Sequence, residues 1–192
     1  MEKQIKIKIL SKQYEIPKEV LDGLLIDDCD EEDCNIKIDE DLLAAVDNNL
    51  EKNTEGGDGI VKMVTDGYFK SDEKRVEISY SETELTGMEG AVTSLSFDIQ
   101  NPSVLTMLRG GTVTTAMVFE PNTRHMTIYE TPYMPFEICI STISVANTLL
   151  VDGKIKFDYI VEIKGAQAER TSFSIEIEDI SNDTSPLSEY AN

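Results

Sequence analysis

Lys154-Ile-Lys-Phe-Asp-Tyr-Ile-Val-Glu-Ile-Lys164 alternates apolar and polar side chains almost without a break. Successive side chains of a β-strand point to opposite faces, so Ile155, Phe157, Tyr159, Val161 and Ile163 share one buried face. The same period of two recurs along the chain. It predicts strands over Gln4–Gln13, Ile60–Phe69, Arg75–Glu84, Val92–Ile99 and Ser103–Arg109. Further strands are predicted over Thr112–Glu120, Arg124–Glu130, Phe136–Val145, Lys154–Lys164 and Thr171–Asp179. The separators are turn chemistry, among them Asn101-Pro102, Gly110-Gly111, Pro121-Asn122 and Asp152-Gly153. Connections this short join antiparallel neighbours, because parallel strands need a long crossover. An up-and-down sheet of about eight to ten strands removes its exposed edges by closing into a barrel. The predicted class is therefore all-β, a single antiparallel barrel.

The chain has 192 residues, 40% of them apolar, which suits one domain with a real core. That domain is expected to span residues 1–180, with strand 1 at 4–13 and the main barrel at 60–179. Residues 181–192 are polar, contain Pro186 and read as a flexible tail. Between Glu15 and Asp58 the composition shifts: sixteen acidic residues stand against three lysines and no arginine. This segment holds −13 of the chain's net charge of −20. Two helices are expected inside it. One starts at Pro17 and runs to about Leu25; the other is capped by Asp39 and carries Leu42, Leu43, Val46 and Leu50 at helical spacing. Gly56-Gly57-Asp58-Gly59 then breaks the chain. About 44 residues make a small core alone, so 15–58 reads as an acidic, partly helical insertion that packs an apolar stripe on the barrel.

A net charge of −20 argues against nucleic acid or an anionic membrane as a partner, because both would repel the chain. No run of about eighteen apolar residues occurs, and the N-terminal residues lack an uninterrupted hydrophobic h-region. Three cysteines, Cys29, Cys34 and Cys139, are too few and odd in number for a disulfide framework and point to a reducing compartment. A cytoplasmic location is the expectation.

No catalytic or metal motif stands out, and no cofactor is expected. Cys29 and Cys34 lack the second ligand pair that a zinc site requires. Asp28, Asp30 and Glu32 resemble the start of a calcium loop, but Asp33 occupies the position where its sharp turn needs glycine. His125, the single histidine, sits beside Arg124 just after Pro121-Asn122 and reads as an exposed loop residue.

The residue-level lead comes from parity. In Arg75–Glu84 the residues Val76, Ile78 and Tyr80 face inward, and Glu82 and Glu84 continue that phase if the strand runs on. Desolvating carboxylates without a partner costs several kcal/mol, so a cation is expected nearby. Arg109 shares phase with Leu105 and Met107 and closes its own strand. Tyr80, Glu82, Glu84 and Arg109 thus form a candidate polar cluster that orients a ligand in a mostly apolar cavity. Equally, the cluster reads as a structural ion pair that plugs the barrel end. The turn Thr131-Pro-Tyr-Met-Pro-Phe136 adds Tyr133, either as a lip over the barrel mouth or as a ring capping the core.

Several spaced segments carry a family resemblance. Thr65-Asp-Gly-Tyr68, Tyr80-Ser-Glu-Thr-Glu-Leu-Thr-Gly-Met-Glu-Gly90, Leu108-Arg-Gly-Gly111, Met117-Val-Phe-Glu120 and Glu130-Thr-Pro-Tyr133, in this order, resemble the YwiB-like bacterial proteins. The resemblance covers Ile60 to about Glu178, with Gln4–Gln13 as a first strand. It implies a lipocalin-like (calycin) β-barrel in a family without an assigned activity. The family usually has a short connection after strand 1, where this chain carries its acidic insertion.

Three functional expectations follow. The leading one is a non-enzymatic barrel that binds a small, at least partly apolar molecule. The second is an interaction module with a filled barrel, whose acidic insertion docks a basic protein partner. The third is an enzyme that uses Glu82 and Glu84 as a carboxylate pair.

Overall fold

The alternating segments become strands whose inward sets meet around one axis. A computed structural model describes residues 1–17, 20–21, 25–30, 33–39, 41–44, 59–163 and 168–179. Its barrel strands are β1 (Glu2–Ile16), β4 (Ile60–Ser71), β5 (Arg75–Ser81), β6 (Val92–Asp98) and β7 (Asn101–Gly110). They continue with β8 (Thr114–Phe119), β9 (Arg124–Glu130), β10 (Pro135–Thr148), β11 (Lys154–Ile163) and β12 (Ala168–Asp179). β4 to β12 follow one another as an antiparallel meander, and β1 pairs with both β12 and β4 to close the barrel. The architecture is thus an all-β, ten-stranded closed antiparallel barrel, consistent with the lipocalin-like form expected. Closure pairs nearly every edge of the sheet; the exception is between β8 and β9, which pair only at Thr114 with Glu130 and Thr115 with Tyr129.

Register stacks the interior in rows. One row runs Ser71, Val76, Phe97, Leu105, Phe119 across β4 to β8. The next runs Phe69, Ile78, Leu95, Met107, Met117, all buried. Behind these, Phe119 and Phe157 pack at 4.6 Å between ring centroids, Phe119 and Tyr159 at 4.7 Å, and Phe157 and Phe173 at 5.1 Å. The third row runs Gly67, Tyr80, Thr93, Arg109, Thr115, Tyr129, Phe136. Its composition is different: small, polar and charged residues replace the large aliphatics. Two layers of the barrel are filled, and the layer at the other end is not.

A second apolar cluster lies outside the barrel. Ile160 is the single break in the alternation of β11, and it is fully buried although it faces outward. It packs with Ile16 and Ala168 beneath Val20, Leu21, Ile38, Leu42, Leu43 and Ile143. The 15–58 segment therefore lays an apolar stripe on the barrel wall, at the end of β1. Asp39 caps the helical residues 41–44 as expected, its Oδ1 accepting the Leu42 N–H at 2.9 Å. Val46 and Leu50 lie outside the described residues, as does the tail 181–192.

Several expected boundaries shift. β1 extends to Glu2 and Ile16, beyond 4–13, because β4 pairs with it from Glu2 and β12 pairs with it as far as Ile16. Residues 20–21 are helical, but the helix expected to reach Leu25 does not: Leu25 opens β2 (Leu25–Asp30), which pairs with β3 (Asp33–Ile38) in a separate hairpin. That hairpin sets Cys29 opposite Cys34 and leans on the barrel through the Ile36 N–H, which donates to Asn122 O at 2.9 Å. β10 runs to Thr148 and absorbs a bulge between Thr142 and Ser144. A helical turn, α1 (Leu149–Asp152), then reverses the chain into β11.

Candidate functional site

β5, β6 and β7 bring Tyr80, Thr93 and Arg109 directly opposite one another. Each comes from a strand whose neighbouring inward residue is a large aliphatic (Ile78, Leu95, Met107), so all three are held on a packed floor. Glu82 follows the end of β5. Its backbone N–H donates to Ala91 O at 2.9 Å, which carries the ladder one step past Ser81 and keeps the side chain in the inward phase. There the phase ends. Thr83 leads into a 3-10 turn, Glu84–Thr86, closed by Gly87 in the left-handed region (φ 69°), a conformation in which glycine carries no Cβ penalty.

Glu84 thus leaves the cluster. The expectation that it points into the barrel fails because the strand stops before it, and its side chain is exposed. It borders a surface depression outside the barrel mouth, shared with Pro132 and Tyr133.

Glu82 is the centre of what remains. Its side chain is 1% exposed, and Oε1 accepts a hydrogen bond from the Thr93 hydroxyl at 2.5 Å. The Arg109 guanidinium, 12% exposed, stands with Nε 3.7 Å from the same oxygen, beyond hydrogen-bond length. Glu82 Oε2 and Arg109 Nε are both buried without a hydrogen-bond partner. Tyr80 stands directly across from Thr93 on the neighbouring strand. Thr93 has one hydroxyl proton and gives it to Glu82. Burial first and the Glu82 charge second push the Tyr80 hydroxyl well above its ordinary range, opposed by Arg109. Burial likewise raises Tyr159, opposed by Arg109. Both tyrosines remain neutral donors at physiological pH.

Above this floor lies a cavity of about 520 Å³ that opens to solvent at the barrel end. Ile9, Val61, Met63, Val113, Phe136 and Phe173 give it apolar walls, and Tyr80, Glu82, Arg109 and Tyr159 its polar base. Two loops frame the mouth. The 82–91 loop reaches over it, where Met88 Sδ accepts the Tyr129 hydroxyl at 3.6 Å. The 131–134 turn is held by the Thr131 hydroxyl, which donates to Met134 O at 2.8 Å and accepts the Met134 N–H at 3.2 Å. Tyr133 lines the cavity only at its rim and is 95% exposed, so its ring does not cap the core.

The structure brings together Tyr80, Glu82 and Arg109, sets Tyr133 at the entrance and leaves Glu84 outside. Sequence reasoning missed Thr93, Tyr129 and Met88. Thr93 shares its inward phase with Leu95 and Phe97, so parity alone marks it; Met88 lies in a loop where no periodicity operates. His125, expected in an exposed loop, instead sits on β9 opposite Ile140, half-buried, with Nε2 3.6 Å from Glu120 Oε2. Among the described residues, no group of three or more His, Cys, Asp or Glu is arranged to hold a metal ion. No helix of the described residues is long and apolar enough to cross a membrane.

A family model described as a domain of unknown function, DUF1934, matches residues 47–175. The chain belongs to the DUF1934 family. That match takes in every candidate site residue but not β1, so the part of the DUF1934 cavity wall made by Ile9, Ser11 and Gln13 lies outside it. Among solved structures, the chain is similar to the crystal structure of the ywiB protein from Bacillus subtilis, with a TM-score of 0.53 and 14% identity. The similarity covers 91% of this chain and 92% of that one. At such identity it is the fold that is shared. A comparison with curated proteins gives no match.

Proposed function

We propose that this DUF1934 barrel is a non-enzymatic binding protein for a small, partly apolar molecule, held in the cavity at its open end. The observation that carries this reading is the cavity itself. Its volume of about 520 Å³ lies within the roughly 300–1,000 Å³ of small-molecule sites, and its apolar walls over a few convergent polar groups have the usual make-up of such sites. The cavity supports this reading over a filled barrel that docks a basic protein through segment 15–58. The exposure of Glu84 supports it over a carboxylate-pair enzyme, since Glu82 and Glu84 share no common point. The three sparse cysteines fit a reducing, cytoplasmic setting.

Titration with N-phenyl-1-naphthylamine, a neutral probe that brightens on leaving water, tests the proposal. Saturable binding of one equivalent is expected, along with a small molecule retained in native mass spectra of protein purified from its own host. Protein that neither binds the probe nor carries a ligand refutes the reading.

A further inference from the structure

We infer that the site takes a neutral carbonyl compound, a ketone, ester or lactone on an apolar body, whose oxygen lodges among donors at the base of the cavity. This rests on the cavity being a ligand site, as proposed above, and concerns the head group that site selects. Which polar atoms a ligand can reach decides the matter. Glu82 offers none: the Thr93 hydroxyl donates to Oε1, Oε2 is sealed from solvent, and the whole side chain is 1% exposed. Of the Arg109 guanidinium only Nε is sealed in this way; the terminal nitrogens are not, and the side chain lines the cavity at 12% exposure. The Tyr80 and Tyr159 hydroxyls are likewise not among the sealed atoms, and both residues line the same space.

These three groups converge. Arg109 stands across β6 from Tyr80, and its charge acts on the hydroxyls of Tyr80 and Tyr159 alike. Burial keeps both tyrosines protonated, so each presents an O–H. Arg109 presents N–H groups and no acceptor. The base is therefore a cluster of donors whose one carboxylate is out of reach. A carbonyl oxygen, with two lone pairs, can accept from the guanidinium and a tyrosine together. Charge excludes the ions. Glu82 already balances Arg109, 3.7 Å from its Nε, so a ligand carboxylate would add a second buried anion beside one cation. An ammonium would meet Arg109 while the carboxylate able to pair with it stays sealed.

Infrared spectra of bound 2-nonanone, carbon-13 labelled at the carbonyl, test the inference, with displacement of N-phenyl-1-naphthylamine giving affinities. The carbonyl stretch should fall below its value in hexane, which mere partitioning into an apolar cavity would not cause. 2-Nonanone should also displace the probe at least about tenfold more tightly than nonanoate or nonylammonium. A stretch at the hexane value overturns the inference, as does either ion binding as tightly as the ketone. Tyr80→Phe and Tyr159→Phe each remove one donor and keep the ring. At least one should weaken 2-nonanone by about two- to tenfold and return the stretch toward the hexane value. If both variants, shown folded by thermal melting, keep the wild-type stretch and affinity, the inference is overturned. The wild-type spectrum decides the matter if neither variant folds. A bound probe that 2-nonanone cannot displace overturns the head-group inference alone, whereas failure of the probe to bind overturns the site itself.

Discussion

Replacing Thr93 by valine removes a hydroxyl at almost constant shape and isolates what holds Glu82 in place. Thr93 is fully buried on β6, and among the described residues its hydroxyl is the one hydrogen-bond donor within normal length of the Glu82 carboxylate. Arg109 remains, but with Nε 3.7 Å from Oε1 its help is Coulombic. A hydrogen bond to a charged group contributes about 1.5–3 kcal/mol. The expected loss is therefore about 2 kcal/mol, moderated where the guanidinium closes onto the carboxylate. For a chain of this length each kcal/mol shifts the melting midpoint by about 2–4 °C, so Thr93→Val should melt roughly 4–8 °C lower.

Thermal and urea unfolding measure this directly, and a double-mutant cycle assigns it. In the Thr93→Val background, Glu82→Gln should cost less than it does in the wild type, with a coupling above about 1.5 kcal/mol. Conversely, Glu82→Leu, Thr93→Val and Arg109→Met together should recover much of the loss, because apolar groups can replace a buried ion pair at little cost. A Thr93→Val protein within about 0.5 kcal/mol of wild type, or additivity in the cycle, would refute the proposed network.

Other outcomes follow from single contacts. Gly67 faces inward on β4, where an added Cβ would lie 2.4 Å from Ile7 Cδ1 and 2.5 Å from Ser79 O. The Ile7 side chain can yield but the backbone oxygen cannot, so Gly67→Ala should destabilise by about 1–3 kcal/mol in urea melts; a neutral effect would contradict the tight β4–β5 wall. Ser11 lines the cavity opposite Phe173. Ser11→Phe should abolish probe binding in a protein whose circular dichroism is unchanged, and retained binding would place the probe elsewhere. Asp72 Oδ1 accepts the N–H groups of Lys74 and Arg75, both at 2.8 Å, and these bonds hold its carboxyl below the ordinary 3.8. A depressed folded value means the contribution is present above that ordinary value and lost as pH falls through the folded one. Asp72→Asn should therefore be less stable than wild type near neutrality and converge with it in acid; a gap that is constant with pH would argue against the turn.

Much of this was legible before any coordinates. The alternation in Lys154–Lys164 and its repeats located the barrel strands, and turn residues separated them, because both signals are local. Parity carried Tyr80, Glu82 and Arg109 to the same interior, where they stand together. It failed at Glu84 for a physical reason. The end of β5 is set by where β6 begins to pair, through the Glu82 N–H and Ala91 O across a loop, and that closure is not written in β5 itself. The β2–β3 hairpin escaped for another: aspartate is depleted in strands, and Glu31-Glu32 offers none of the Asn-Gly or Asp-Gly signal of a tight hairpin. The outward apolar Ile160 was visible as an exception to the alternation. Its cover, the stripe with Leu42 and Leu43, was visible too. Only their meeting required the fold.

The cavity belongs to a different level, since it depends on how inward residues of many strands sum at one height. Phe69, Ile78, Leu95, Met107 and Met117 fill their row with large side chains. One step along the same strands, Gly67, Thr93 and Thr115 remove volume, and Arg109 and Glu82 bring charge. If stability alone shaped that end, leucine or phenylalanine at these positions would fill the space and spare the desolvation of two ions. Instead the chain keeps a carboxylate oxygen and a guanidinium nitrogen buried and unpaired beside open volume. Such atoms cost about 1–3 kcal/mol each until something bonds them. That cost, kept beside open volume where apolar packing would relieve it, is the physical argument for function at this site.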